Sequence, residues 1–396
     1  MRRGSGFRAL GVLTAVSVLL LTAAKPAGAI NVNAIWPELG LPGFRVIPFF
    51  TERLEYQSNV LLAPRNELDD LISRSIPGLI VELPFGRHRL DLVARAEFLK
   101  YLSNRQLDTR HYFLLGKLGL NFPGGLNVRV REEFAKTSDP PGTELTGRIS
   151  STTNTVGSEV EYALVQRFSL AVGYTFTHVS FDDTVTELNR NEHLAGVTGF
   201  WKMTGKSDLL ANVSYGVKTF ENDSTRDAER FLGTVGVRGE LTSRLSSTFR
   251  IGYEHRATSG HTVNTLISSG DWVFVPTART RLSLLTQRSL EESVFQSNIT
   301  YTATAVTFLA EQRFGPKVTA NGRVFVGLNE YPNKDQDVDG FHRRTDRVMG
   351  AAFGIDYQIQ RWLAVGAEYK VSDRKSNFSG FDYTDHVIGV KVTLSL

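Results

Sequence analysis

The chain of 396 residues contains no cysteine. That excludes disulfides, lipoprotein acylation and thiol chemistry, and an exported chain of this kind must be held together without covalent staples. Past residue 29 no stretch offers 18 uncharged apolar residues, so no transmembrane helix is encoded there. No P-loop, dinucleotide fingerprint, H-E-x-x-H or G-x-S-x-G motif occurs. A surplus of one charge sign is missing too, once the leader is set aside. Residues 1–29 carry four cations and no anions, so 45 basic against 41 acidic side chains becomes 41 against 41. The basic sequence pI of 9.1 is a leader effect and gives no support to nucleic-acid binding.

The leader has the form of a secretory signal. Arg2, Arg3 and Arg8 precede the uncharged run Ala9 to Ala24, and Ala27-Gly28-Ala29 supplies an A-x-A cleavage site. The run is too short to span a membrane, which takes roughly 18–20 residues. We expect residues 1–29 to be removed, residues 30–43 to form a periplasmic segment too short for a plug domain, and residues 44–396 to form the folded domain.

The strongest signal is a beat of about 38 residues. Short turns recur near Phe85, Pro123, Gln166, Gly205, Thr242, Pro276, Pro316 and Gln360. Between them lie stretches of alternating apolar and polar side chains and longer polar loops. Leu90, Leu92, Ala94, Ala96 and Phe98 oppose Asp91, Arg95 and Glu97. Tyr112, Leu114, Gly116, Leu118 and Leu120 line up on the next strand. Leu126, Val128 and Val130 oppose Arg129, Arg131 and Glu133. Phe168, Leu170, Val172, Tyr174 and Phe176 oppose Ser169, Ala171 and Gly173. Leu245, Phe249, Ile251 and Tyr253 oppose Arg250, Glu254 and Arg256. Leu363, Val365, Ala367, Tyr369 and Val371 oppose Glu368 and Lys370. Side chains alternate across a strand with period two, so each set is one surface.

A soluble β-sandwich alternates as well. Three features favour an inside-out arrangement. The strands are about twice the usual ~5–6 residues. Their polar faces mix Gly, Ser, Thr, Arg and Glu. Aromatics mark strand ends: Phe85, Phe122, Phe168, Trp201, Phe314 and Trp362 by the turns, and Tyr101, Phe181, Phe220 and Tyr331 by the loops, as for two interfacial girdles. The expected fold is an all-β transmembrane antiparallel up-and-down β-barrel of 18 strands (16 as the fallback), with short periplasmic turns. Long loops are expected at 58–70, 102–107, 136–150, 180–188, 220–228, 257–266, 289–297, 330–345 and 373–382. Pro48 cannot donate to a ladder, so the first strand is expected at an edge or unpaired. Ile388, Val390, Val392, Leu394 and Leu396 form a terminal apolar row that resembles the β-signal read by the outer-membrane assembly machinery, though that signal usually ends in Phe or Trp.

The residues Glu55-Tyr56-Gln57-Ser58-Asn59-Val60, Asp69-Asp70-Leu71-Ile72, Pro77-Gly78-Leu79 and Phe122-Pro123-Gly124-Gly125-Leu126 resemble the opening of the beta-barrel porin-2 family. Tyr331, Arg344-Thr345-Asp346, Arg361-Trp362-Leu363, Arg374-Lys375-Ser376-Asn377 and Asp382-Tyr383 resemble its end. The resemblance spans residues 44–396. It implies an outer-membrane barrel of a family often associated with exopolysaccharide systems, and it carries no catalytic residues, cofactor or cargo.

The faces read as lumenal hold the cations Arg95, Lys117, Arg129, Arg131, Arg238, Arg250, Arg256, Arg323, Lys370 and Lys391 and the anions Asp91, Glu97, Glu133, Glu240, Glu254 and Glu368. Rings of charge set ion preference in pores, and this surplus predicts weak anion selectivity. The alternative is that they pair across strands and stiffen the wall. Asp335, Asp337, Asp339, Gly340 and Asp346 follow the spacing of a calcium loop, although Asp stands where the bidentate Glu belongs. His178 and Ser180 form an H-x-S on the lipid-facing parity, with Asp182 and Asp183 nearby, which is the raw material of a nucleophilic site. A chance match explains either motif equally simply. We expect a passive outer-membrane channel for hydrophilic solute, tied, as the family resemblance implies, to exopolysaccharide export. The alternative is a non-conducting docking barrel of an export complex, with a lipid-modifying enzyme third. No catalytic residue, cofactor or metal is assigned. The expected partners are outer-membrane lipids, the barrel assembly machinery and components of polysaccharide export; nucleic acid is not among them.

Overall fold

The computed structural model describes residues 30–31, 43–140, 144, 147–182, 185–295 and 297–395. The leader and residues 32–42 lie outside the described residues. Eighteen long strands follow one another: β1 (Arg45–Gln57), β2 (Asp70–Phe85), β3 (His88–Tyr101), β4 (Thr109–Asn121), β5 (Leu126–Thr137), β6 (Ser151–Val165), β7 (Phe168–Phe181), β8 (Arg190–Lys202) and β9 (Ser207–Phe220). The second half comprises β10 (Ala228–Glu240), β11 (Leu245–Thr258), β12 (His261–Thr277), β13 (Thr280–Glu292), β14 (Thr300–Phe314), β15 (Val318–Asp337), β16 (Gly340–Gln360), β17 (Leu363–Ser376) and β18 (Tyr383–Ser395). Each pairs antiparallel with the next, and β18 returns to β1 along a ladder from Val387↔Gln57 to Ser395↔Phe49. The sheet closes on itself and leaves no free edge.

β1 is therefore neither an edge nor unpaired. Pro48 sits opposite Leu79 of β2, one rung beyond the point where β18 runs out at Ser395. Ile30 and Asn31 carry that seam further by pairing with Val46 and Arg45.

All eight turns fall where the beat places them, and each is short, from Gly86-Arg87 to Arg361-Trp362. The opposite end differs from expectation in two places. Residues 257–266 and 330–345 are not loops. β11 and β12 run on to a tight turn at Ser259-Gly260, and β15 and β16 to one at Val338-Asp339, with Gly260 and Gly340 at positive φ. Polar side chains above the lipid pair as strands as readily as apolar ones within it. Hydropathy marks where lipid ends, not where the ladder ends. β15 and β16 thereby reach 20 and 21 residues. Three of the remaining loops hold a single 3₁₀ turn, at Arg105–Leu107, Thr186–Leu188 and Ser224–Arg226. Among the described residues no helix is long and apolar enough to cross a membrane.

The register gives every strand two faces. On one, apolar side chains stand bare: Val213 is 69% exposed, Val235 58%, and Ile388 and Val390 57% each. Rows this exposed do not form a water-facing surface; they suit a hydrocarbon exterior. Near the turns Phe122, Phe168, Trp201, Phe314 and Trp362 are exposed, as one girdle requires. The second girdle is made of other residues than expected. Tyr101, Phe181, Phe220 and Tyr331 are buried, on the opposite parity. The outward aromatics toward the loops are Tyr112, Tyr174, Tyr215, Tyr253 and Tyr369. Tyr174 and Tyr369 place their hydroxyls 2.7 and 2.8 Å from the Nδ1 atoms of His193 and His386.

Candidate functional site: the barrel interior and its outer mouth

Asp91, Arg95 and Glu97 on β3, Arg129, Arg131 and Glu133 on β5, Arg238 on β10, Arg250, Glu254 and Arg256 on β11, Arg323 on β15, and Glu368 and Lys370 on β17 all lie on the face opposite the bare apolar rows. Lys117, Glu240 and Lys391 share it. That face is the interior. Arg238 on β10 bonds Glu161 on β6 at 2.7 Å although three strands lie between them, which side chains can do only across the inside of a closed sheet.

The interior has two unlike sides. Along β6–β11 it is filled. At the turn end, Arg129 pairs with Glu159 and with Glu161 (3.0 Å), and Arg238 pairs with Glu161 and with Asp208 (2.9 Å). The Arg238 guanidinium also lies 3.4 Å from the ring centroid of Phe200, which packs with Ala171 and Leu210 in a small buried core. Toward the loops, Arg256 pairs with Glu254 and Glu292 (2.8 Å each), Lys218 with Glu292 (2.6 Å) and Glu192 (3.2 Å), and Arg230 with Glu254 (3.1 Å). Arg256 is 1% exposed and Glu254 2%. Glycine lets neighbouring backbones approach closely here. A Cβ on Gly236 would collide with the carbonyl oxygen of Phe249, and one on Gly252 with that of Gly233.

Along β14–β18 the middle and turn end of the interior are less filled, with Arg323, Ala352 and Glu368 half-buried, whereas toward the loops Tyr301, Tyr331, Arg344, Asp346 and Arg374 are buried. β16 turns Gly350, Ala352 and Gly354 inward. Arg323, Ala352 and Lys370 share one rung across β15, β16 and β17. Among the described residues neither Arg323 nor Lys370 has a carboxylate within ion-pair distance, and Lys370 is exposed although it points inward. Between the two sides, β1–β4 carry a third network: Arg74 with Glu55 (2.8 Å) and Glu97 (2.9 Å), Arg95 with Glu97 (3.1 Å), and Arg53 with Glu368 (3.4 Å).

Many of these carboxylates escaped the sequence count. Glu55, Glu159, Glu161, Glu192, Asp208 and Asp346 lie on strands whose alternation is weaker, and Asp356 pairs with Lys391 at 2.8 Å. These seven exceed the surplus of four, but Arg53, Arg74, Lys218, Arg230, Arg344 and Arg374, also uncounted, pair with carboxylates in turn. What survives is local, on β15 and β17. The signal available was parity: Glu159 and Glu161 alternate with Val160 and Tyr162.

At the outer mouth the loop 138–150 leaves β5 and rejoins β6, yet Glu144 is fixed at the far wall. Ser293 donates to its carboxylate at 2.6 Å and the Val294 amide at 2.9 Å, both just past β13. Arg374 of β17 donates to its main-chain oxygen at 2.8 Å. Burial pushes the Glu144 carboxyl above the usual carboxylate range, with the Ser293 and Val294 hydrogen bonds and the Arg344 charge opposing. Arg148, from the same loop, pairs with Asp139 at 2.7 Å and lies over Tyr101.

The calcium spacing does not wrap into a loop. Asp335 and Asp337 lie in a β-hairpin opposite His342 and Gly340, and Asp346 is opposite Asn329, four residues below His342 and thus roughly 14 Å down the strand. Asp346 is paired with Arg344 (2.6 Å) and Arg374 (3.2 Å). His178 points outward, its Nδ1 2.9 Å from Asn191 Oδ1, and Asp182 accepts from Ser150 at 2.8 Å, so among the described residues the histidine's hydrogen-bond partner is Asn191 and not Ser180 or Asp182; Asp183 lies outside the described residues.

A family model described as "Putative beta-barrel porin 2" matches residues 41–396. Among curated proteins nothing matches. Among solved structures, similarity extends to the outer membrane protein opdK from Pseudomonas aeruginosa (12% identity, TM-score 0.46, 89% of this chain and 99% of that one). It also extends to OccAB3 of Acinetobacter baumannii (12%, 0.46, 89% and 100%) and OccK8 (OprE) of Pseudomonas aeruginosa (12%, 0.45, 90% and 99%).

Proposed function

The chain belongs to the beta-barrel porin 2 family, and from that premise we propose that it is a bacterial outer-membrane channel whose water path follows β14–β18 and which passes small hydrophilic solute with a weak preference for anions. One observation carries this reading. Arg323 and Lys370 have no carboxylate within ion-pair distance among the described residues and share a rung with Ala352, on a strand whose neighbouring inward positions are Gly350 and Gly354. The networks along β6–β11 serve as filling and bracing. Refolded protein in a planar bilayer tests it: discrete pore events with a reversal potential favouring anions under a salt gradient are expected, and a cation preference contradicts it.

The second reading, a non-conducting scaffold, draws on Glu144, which ties the mouth from wall to wall. Silence in the bilayer would favour it. Outer-membrane lipids and the barrel assembly machinery are the partners this location requires. The link to polysaccharide export rests on family resemblance, and a deletion strain secreting undiminished polymer would remove it.

A further inference from the structure

Three outer segments converge beside the seat of Glu144: the connection after β13, the tip of the β15–β16 hairpin, and the loop 377–382. They border a cavity of about 290 Å³ whose lining includes Phe295, Tyr331, Asp335, Gln336, Arg344 and Phe381. The walls are stapled to one another. Ser297 donates to Asp335 at 2.6 Å, Ser379 to Asp337 at 2.7 Å, the Asn333 amide to Asn298 at 2.8 Å, and Asn377 to the Arg343 carbonyl at 2.8 Å. The cup is thus formed before any ligand arrives.

Its chemistry selects by elimination. Aromatic faces flanked by carboxylates can cage an organic cation, but that position is already filled. The Arg344 guanidinium lies 3.6 Å from the Phe381 centroid, 4.7 Å from that of Tyr331 and 5.0 Å from that of Phe295. An anion finds no free counter-charge, because Asp346 clamps Arg344 through two hydrogen bonds (2.9 and 2.6 Å), and Asp335 and Asp337 repel it. Asp335 and Asp337 each spend two of a carboxylate's roughly four acceptor sites on Ser297, Ser379 and main-chain amides, so acceptor sites remain among aromatic side chains, which suits hydroxyl donors on a compact ring. The volume sits at the lower edge of the ~300–1,000 Å³ typical of small-molecule sites, enough for one ring.

We propose that this cup binds a single neutral saccharide ring at the outer mouth. Binding there does not depend on conduction, so this inference and the channel reading fail separately. Saturation-transfer NMR on the full refolded barrel in detergent tests it, with glucose, galactose, mannose and N-acetylglucosamine as neutral probes, glucuronate as anion and choline as cation. At least one neutral sugar should give a saturable, displaceable signal. Asp335→Asn/Asp337→Asn should weaken that signal at least tenfold. Gln336→Trp, which fills the cup and leaves every staple in place, should abolish it. No displaceable neutral sugar, an undiminished signal in Gln336→Trp, or preferential binding of choline or glucuronate would each overturn the proposal.

Discussion

The two sides of this barrel solve different problems with the same strand grammar. Along β6–β11 the interior is packed, and Arg256, Glu254, Phe200 and Leu210 are as hidden as residues of a soluble core. At the middle of β14–β18 the inward positions of β16 are Gly350, Ala352 and Gly354, and the inward Lys370 is exposed. The outer face is alike on both. The lesson is that inward parity in a wide barrel does not mean exposure to water. Whether an inward charge braces the wall or faces solute depends on what its neighbours leave room for.

The largest expected contrast is in stability. Arg256→Ala takes one of two cations from each of Glu254 and Glu292 and leaves them Arg230 and Lys218, so the loss should lie at the lower end of the about 3–5 kcal/mol that breaking a buried pair costs. Lys370→Ala removes no partner and should leave the urea midpoint in detergent unchanged. Equal losses for the two would break the comparison. Next comes the lipid face. Val213 stands midway along β9 among outward apolar residues, so Val213→Arg should cost about 2–4 kcal/mol in lipid. Ala352→Ser, facing the open side, should cost little in the same titration. The third contrast is electrical. Lys370→Glu with Arg323→Glu should reverse the sign of the reversal potential, whereas Arg250→Gln on the filled side should shift it slightly.

The smallest effect concerns pH. The Glu144 carboxyl is held above its usual range by burial, so the seated loop binds a proton more tightly than the released one. Its contribution is complete below the ordinary carboxylate range and is lost as pH rises through the elevated value. Ser293, the Val294 amide, Tyr331, Arg344 and Arg374 are the groups that face it. Protease nicking of the loop 138–150 should increase from acid to neutral pH, and Glu144→Gln should flatten that profile. A profile that runs the other way contradicts the assignment.

The strand count, the turns and the inward parity of Arg95, Arg129, Arg250 and Lys370 were legible because lipid imposes a strict period of two on one face. What was not legible has one cause: above the lipid that constraint lapses. The β15–β16 hairpin reads as a loop because its residues are polar, and Tyr101 and Tyr331 read as girdle aromatics because strand-end position alone does not fix parity. Nor can a one-dimensional pattern show that Glu161 and Arg238, 77 residues apart, meet across the inside. The seat of Glu144 on Ser293 is invisible for the same reason.

Because the chain has no cysteine, single cysteines report the interior without background. Lys370→Cys and Ala352→Cys should react rapidly with a charged, water-soluble methanethiosulfonate applied to the barrel in lipid vesicles. Leu210→Cys and Ser214→Cys, equally inward but buried, should react at least tenfold more slowly. Equal rates, or faster labelling at 210 and 214, would contradict the division of the interior into a braced side and a wet one.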